Sequence, residues 1–191
     1  MRDNREIVLL VDDEIDNLHT LSQILKHEGY SVRPVTSGDL ALIAASSLIP
    51  DIVLLDIRMP GMDGYEVCDS LKADDALKEI PVIFLSGYND GINKTKAFSA
   101  GAVDYITKPF FSTEVIERIR LHLSISRYRR QLEEKDLLLR NALDNMCGAI
   151  IHLDSDLNVI TYSERLKEFF DLPDNLFSAN VNFKDILNHR I

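Results

Sequence analysis

At 191 residues, with 46% hydrophobic and 27% charged side chains, the chain has the composition of a soluble globular protein, with room for one full core and a smaller appendage. Its net charge of −10 opposes non-specific nucleic-acid binding, which needs clustered Lys and Arg, and no apolar run approaches the ~18 residues of a membrane span. The opening MRDNREIVLLVDDE passes from a short apolar run into acids and does not read as a cleavable leader, so a cytoplasmic protein is expected.

Five short β-prone runs follow in chain order: residues 7 to 11 (IVLLV), 31 to 35 (SVRPV), 51 to 55 (DIVLL), 80 to 85 (IPVIFL) and 103 to 106 (VDYI). Most are too continuously apolar to have a wet face, which predicts a sheet covered on both sides. Amphipathic stretches alternate with them: Ile15, Leu18, Leu21, Ile24 and Leu25; then Leu40 to Ala45; then Tyr65 to Leu71; then Ile92 to Ala100. Five βα repeats mean an α/β fold with a doubly wound parallel sheet and right-handed crossovers. Cys68 and Cys147 fall in separate helical patterns with no CxxC spacing and read as packing residues.

After Pro109 the pattern changes. From Ser112, expected to cap a helix with Glu114 in its first turn, a helical pattern runs without Gly or Pro to about Met146. Leu121, Ile125, Tyr128, Leu132, Leu139, Ala142 and Met146 repeat at heptad spacing, with Lys135 breaking one core position, which predicts a two-stranded coiled coil and a homodimer through this helix. The basic RYRRQ at 127 to 131 runs into Glu133 and Glu134 and reads as a solvated helix face. Beyond Gly148, AIIHLDSDLNVITYS predicts two strands around a polar turn, followed by a short amphipathic segment, ERLKEFFDLP.

In a doubly wound sheet the ligand site lies outside the carboxyl ends of the strands. Here those ends carry Asp12 and Asp13, Asp56, Ser86 with Gly87, and Lys108 with Pro109. Three clustered carboxylates need a counter-charge to stay ionised, and hard oxygen ligands favour Mg2+. Such a site invites phosphate: Lys108 adds positive charge, the Ser86 hydroxyl can donate a hydrogen bond, and Asp56 is placed as a nucleophile that would accept a phosphoryl group as an acyl phosphate. Acids often close strands as helix caps, but five residues of the right types at four strand ends are a far more specific pattern.

The segments LLVDDE, DIVLLDIRMPGMDGYEV, IPVIFLSG and AGAVDYITKPF, in this order and spacing, resemble the CheY-like receiver domain of two-component response regulators over about residues 5 to 125. The resemblance implies a flavodoxin-like fold with strand order 2-1-3-4-5. It implies Asp56 as phosphoacceptor, Asp12 and Asp13 as the acidic metal pocket completed by the backbone carbonyl of Arg58, Ser86 and Tyr105 as a switch pair, and Lys108 as the phosphoryl anchor before a cis bond to Pro109. It further implies a histidine kinase or histidine phosphotransfer protein as phosphodonor. The segment from about 141 to 191 resembles the first half of a PAS domain, with Ser163 where that family often carries Asn.

The expected organisation is a receiver over residues 1 to 125, an extended coiled-coil helix over 112 to 146, and a partial PAS-like segment over 147 to 191, in a fragment of a longer protein such as a hybrid histidine kinase. Three other functions compete with this. A Mg2+-dependent aspartyl-phosphate phosphatase similar to the haloacid-dehalogenase family would need a general acid two residues after the nucleophile, where Arg58 stands. A transcription factor would need a basic recognition helix after residue 125, and no such pattern is present. A receiver fragment of a diguanylate cyclase regulator is the third, although neither a cyclase signature nor a kinase phosphoacceptor motif occurs in these residues, so the chain is expected to be a switch without an output enzyme of its own.

Overall fold

A computed structural model of the chain describes residues 5–87, 94–145, 148, 150–163, 165–167, 173 and 181–188. The chain divides into two compact units, Met1–Arg127 and Tyr128–Ile191.

In the first unit, strands β1 (Ile7–Val11), β2 (Ser31–Val35), β3 (Ile52–Asp56), β4 (Val82–Ser86) and β5 (Asp104–Thr107) alternate with helices α1 (Ile15–His27), α2 (Gly38–Ser47), α3 (Gly64–Ala73) and α4 (Lys94–Ser99), and α5 (Ser112–Asn145) follows β5. All neighbouring strands are parallel, in the order β2-β1-β3-β4-β5, as the sequence predicts. Consecutive side chains point to opposite faces of a strand, so the apolar runs divide between two cores. Val8, Leu10, Ile52, Leu54, Ile83, Leu85 and Ile106 meet α1 and the start of α5 through Leu18, Leu21, Leu25, Val115, Ile119 and Leu123. Leu9, Val11, Val53, Leu55, Val82 and Phe84 meet α2, α3 and α4 through Ala41, Ala45, Val67, Cys68, Leu71 and Ala97.

Several local expectations need correction. Ile15 is 72% exposed, because the buried stripe of α1 begins at Leu18, and Leu40 and Ile43 of α2 are exposed because the small Ala41 and Ala45 make that helix's contact with the sheet. Ser112 is the first helical residue of α5, since the Val115 N–H bonds to the Phe111 carbonyl, so Ser112 is not the cap. Strands β3 and β4 run one residue further than expected and take Asp56 and Ser86 as their last members, while Ile80 and Pro81 precede β4. Ile92 lies outside the described residues, as do Met146 and Cys147. Cys68 is the packing residue it was expected to be: it is buried, its Sγ donates to the Ala100 carbonyl at 3.1 Å, and burial pushes its thiol up to about 11. The basic stretch at 127 to 131 is also a solvated face, with Arg129 beside Glu133 and both exposed.

In the second unit, β6 (Ile151–Leu153) and β7 (Val159–Tyr162) form the expected antiparallel pair, and a short helix, α6 (Phe183–Asn188), follows. Asp154 organises the turn: its carboxylate accepts the backbone N–H groups of Asp156 and Asn158 and the Asn158 side-chain amide. Ser163 is fully buried and its hydroxyl accepts the Ile150 N–H at 3.0 Å, tying the residue after β7 to the one before β6. Of the amphipathic segment at 164 to 173, only 165–167 and 173 are described.

The loop after β3 turns back sharply. The Gly64 N–H donates to the Ile57 carbonyl at 2.9 Å, and α3 starts under a reciprocal cap in which Asp63 accepts the Glu66 N–H and Glu66 accepts the Asp63 N–H. Gly64 is pressed so close to the strand end that a Cβ there would collide with the Asp56 carbonyl oxygen and lie 2.8 Å from the Ile57 Cα. Gly61 instead has a φ of +81° with open space around it. Gly64→Ala is therefore expected to destabilise the fold by about 2 kcal/mol or more through backbone displacement, and Gly61→Ala by only about 1 kcal/mol of left-handed strain. Urea denaturation of both variants checks the order; equal losses would show that the strand end yields freely at Gly64.

Candidate functional site

The sheet order reverses between β1 and β3: the chain leaves β1 for β2 on one side and returns to β3 on the other. Val11 pairs with Leu55, so Asp12, just past β1, and Asp56, the last residue of β3, emerge side by side. Both are almost fully buried, whereas Asp13 is exposed. A carboxylate oxygen from each of the three lies within 4.8 Å of the other two.

From the far edge of the sheet, β5 delivers Lys108, whose backbone N–H is held by the Ser86 carbonyl at 2.7 Å and whose bond to Pro109 is cis. Its Nζ bridges the two buried carboxylates, 2.9 Å from Asp12 Oδ2 and 3.0 Å from Asp56 Oδ2. Side chains at the ends of β1, β3 and β5 thus converge, and the Ser86 backbone at the end of β4 holds Lys108 there. Ser86 is fully buried, and its hydroxyl has no hydrogen-bond partner among the described residues. Leaving a buried hydroxyl unsatisfied is costly. Tyr105 is half-buried in β5, paired with Phe84 and packed against the core under α3 and α4.

The sequence gives no warning of Asn17. Its side-chain amide reaches back from the first turn of α1 to both oxygens of Asp12, at 3.1 Å each, and to Glu14 Oε2 at 2.8 Å. The Glu14 N–H also donates to Asp12 Oδ1 at 2.9 Å. An Asn five positions after a strand-end acid carries no recognisable spacing signal; only the entry angle of α1 brings it to the pocket. Gly64 is the other functional position that periodicity does not single out.

One lysine does not balance this charge. Burial, with Asp12 adding to it, lifts the Asp56 carboxyl from 3.8 to about 6 against the opposing pull of Lys108 and the Ile57 N–H. Burial also disfavours the Lys108 ammonium, but its hydrogen bonds to Asp12 and Asp56 outweigh this and raise its pKa. The pocket therefore has spare negative charge and an all-oxygen donor set suited to a hard divalent cation held by Asp12, Asp13 and Asp56. Because the Asp56 pKa is raised by folding, the folded state binds that proton more tightly than the unfolded one. Its ionisation costs stability as pH rises from about 4 to about 6, a cost on the order of 2 to 3 kcal/mol that is fully present above that window. In metal-free buffer, Asp56→Asn should raise the unfolding free energy at pH 7.5, with the gain shrinking towards pH 4; denaturant titrations at the two pH values measure it, and a gain independent of pH would contradict this assignment.

Comparison with known proteins identifies the fold. The family model for the response regulator receiver domain matches residues 8–120. The chain is 37% identical over 119 residues to the DNA-binding response regulator MtrA of Mycolicibacterium paratuberculosis, covering 62% of this chain and 52% of MtrA. It is 35% identical over 143 residues to the response regulator PleD of Caulobacter vibrioides, covering 75% of this chain and 30% of PleD. The chain thus spans about half the length of the first of these relatives and under a third of the second. Among solved structures, a signal receiver domain of a signal transduction histidine kinase from Syntrophus aciditrophicus matches with a TM-score of 0.58 and 34% identity, over 62% of this chain and 90% of that one. A CheY-like receiver domain protein from Methanospirillum hungatei matches with a TM-score of 0.62 and 27% identity, over 66% and 99%. With a five-stranded sheet in the order 2-1-3-4-5 and this match across most of the first unit, the chain belongs to the response regulator receiver domain family.

Proposed function

We propose that this chain is a phosphoacceptor module of a two-component phosphorelay, taking a phosphoryl group on Asp56 from a histidine kinase or histidine phosphotransfer protein. The observation that carries this reading is Lys108 bridging Asp12 and Asp56 at 2.9 and 3.0 Å beside a buried Ser86 hydroxyl with no partner among the described residues. Asp12, Asp13, Asp56 and the Arg58 backbone carbonyl would hold Mg2+, which when bound offsets the charge of the incoming phosphoryl oxygens. An Asp56 carboxylate oxygen attacks phosphorus, the bond from phosphorus to the donor imidazole nitrogen breaks, and the imidazole leaves with the electron pair. Lys108 turns to the phosphoryl oxygens, and the Ser86 hydroxyl gains the acceptor it lacks. Movement of Ser86 opens space for Tyr105 to rotate inward, and the α4, β5 and α5 face changes with Pro109 holding the loop.

The reading extends to organisation: a receiver over residues 1–125, a linker helix over 112–146 and the first half of a PAS-like segment over 147–191. The α5 helix supports this, because it carries two apolar stripes. Val115, Ile119 and Leu123 are buried in the receiver core, whereas Leu121, Ile125, Tyr128, Leu132 and Leu139 are all more than half exposed. Residues 119 and 121 point about 200° apart on a helix, so the second stripe is free for a second copy in a parallel coiled coil. That helix would pass the change at Asp56 to a PAS-containing output, such as that of a hybrid histidine kinase. The β6–β7 hairpin with its Asp154 turn supports the PAS-like assignment. The chain itself acts as a switch, the output activity lies elsewhere, and with a net charge of −10 it does not contact nucleic acid. DNA binding is a property of MtrA, and the match to this chain covers about half of that protein.

Two measurements check the reading. Incubation with acetyl phosphate and Mg2+ should add one phosphoryl mass to the protein but not to Asp56→Asn, and the gain should disappear with chelator; an equal gain in the variant would refute Asp56 as acceptor. In sedimentation equilibrium the full chain should show a concentration-dependent dimer that Leu132→Lys shifts at least tenfold towards monomer, since a charge in a coiled-coil core is strongly unfavourable. A monomer at all concentrations, or a dimer indifferent to Leu132→Lys, would rule out the coiled coil.

A further inference from the structure

Donors crowd the Asp12 carboxylate on both oxygens. A carboxylate offers about four acceptor positions, and here three donor groups reach it: the Glu14 N–H at Oδ1, Lys108 at Oδ2, and the Asn17 amide, whose two hydrogens are shared between both Asp12 oxygens and Glu14 Oε2. The three carboxylate oxygens around the Asn17 side chain can only accept, so the group facing them is its NH2. A cation binding at Asp12 competes with these donors for its oxygens.

We infer that Asn17 is a positioning residue that holds the place of the metal: its amide occupies the Asp12 lone pairs until a divalent cation displaces it onto Glu14. Among the three groups on Asp12, the amide is the cheapest to move. Its two contacts to Asp12 are the longest, at 3.1 Å against 2.9 Å for Lys108 and for the Glu14 N–H, and it carries no charge. When displaced it keeps a partner, since Glu14 Oε2 already lies 2.8 Å away. Asp12 does not need Asn17 for orientation, because the strand end, the Glu14 N–H and Lys108 fix the carboxylate from other sides. Removing the amide therefore removes a competitor without loosening the ligand. The inference rests on the receiver reading of this pocket, and it adds that Asn17 sets how much Mg2+ the switch needs before it can be phosphorylated.

The test is a calorimetric MgCl2 titration of the full chain, wild type beside Asn17→Ala and Asn17→Ser, with melting temperatures recorded in chelator and in saturating MgCl2. Both variants should bind Mg2+ roughly three- to tenfold more tightly, the size expected for losing one hydrogen bond to a charged group. Both should melt lower than wild type in chelator, and the gap should close when Mg2+ saturates the pocket. Wild-type binding with unchanged or weaker affinity in both variants would overturn the inference alone, because a purely structural Asn17 would lower stability without tightening the metal. No Mg2+ binding by any of the three proteins would overturn the receiver reading of the pocket and this inference with it.

Discussion

A carboxylate at the end of a buried strand must be compensated, and the Lys108 ammonium compensates two of them at once. That single bridge sets demands on the rest of the first unit. Lys108 follows β5 at one edge of the sheet, Asp12 follows β1 and Asp56 ends β3, so the lysine spans them only if β3, β4 and β5 keep their parallel register. Dry packing on both faces keeps that register, because a slip of one residue would move every side chain to the opposite core. The compensation is also incomplete. Burial wins over the lysine at Asp56 and lifts its carboxyl well above the ordinary range.

The site thus stores unfavourable terms in a rigid frame. A buried hydroxyl lacks a partner, a carboxyl sits well above its ordinary range, and a glycine is pressed against the strand end. Each is tolerable because the frame is packed on both sides. Functional sites commonly carry such local costs while the scaffold around them supplies the stability. Asn17 adds a neutral donor to the same pocket, against both oxygens of Asp12.

Much of this was legible in the sequence because it depends on period and order alone. Continuous apolar runs at strand length give a sheet buried on both faces, and alternation with amphipathic stretches makes it parallel. The end-of-strand positions of Asp12, Asp56, Ser86 and Lys108 follow from where the apolar runs stop. The helical repeat from 112 to 145 was equally plain. What failed were boundaries and faces decided by neighbours. Ile15 looks like the start of a buried stripe, yet α1 tilts so that burial begins at Leu18. Leu40 and Ile43 look like core residues, yet the closer approach of Ala41 and Ala45 turns them outward. Ser112 has the chemistry of a cap, but the first helical hydrogen bond is accepted one residue earlier, at Phe111.

By itself, then, the sequence determined the α/β architecture, the strand order through its family resemblance, and the residue types gathered at one end of the sheet, because these rest on local period, chain order and chemical identity. Only the tertiary structure decided which atoms meet there. That Lys108 reaches Asp12 as well as Asp56, that the Ser86 hydroxyl is left without a partner among the described residues, and that Asn17 closes over Asp12 depend on strand register and helix entry angle. Those are fixed by packing between segments up to about a hundred residues apart in the chain, and no local pattern encodes them.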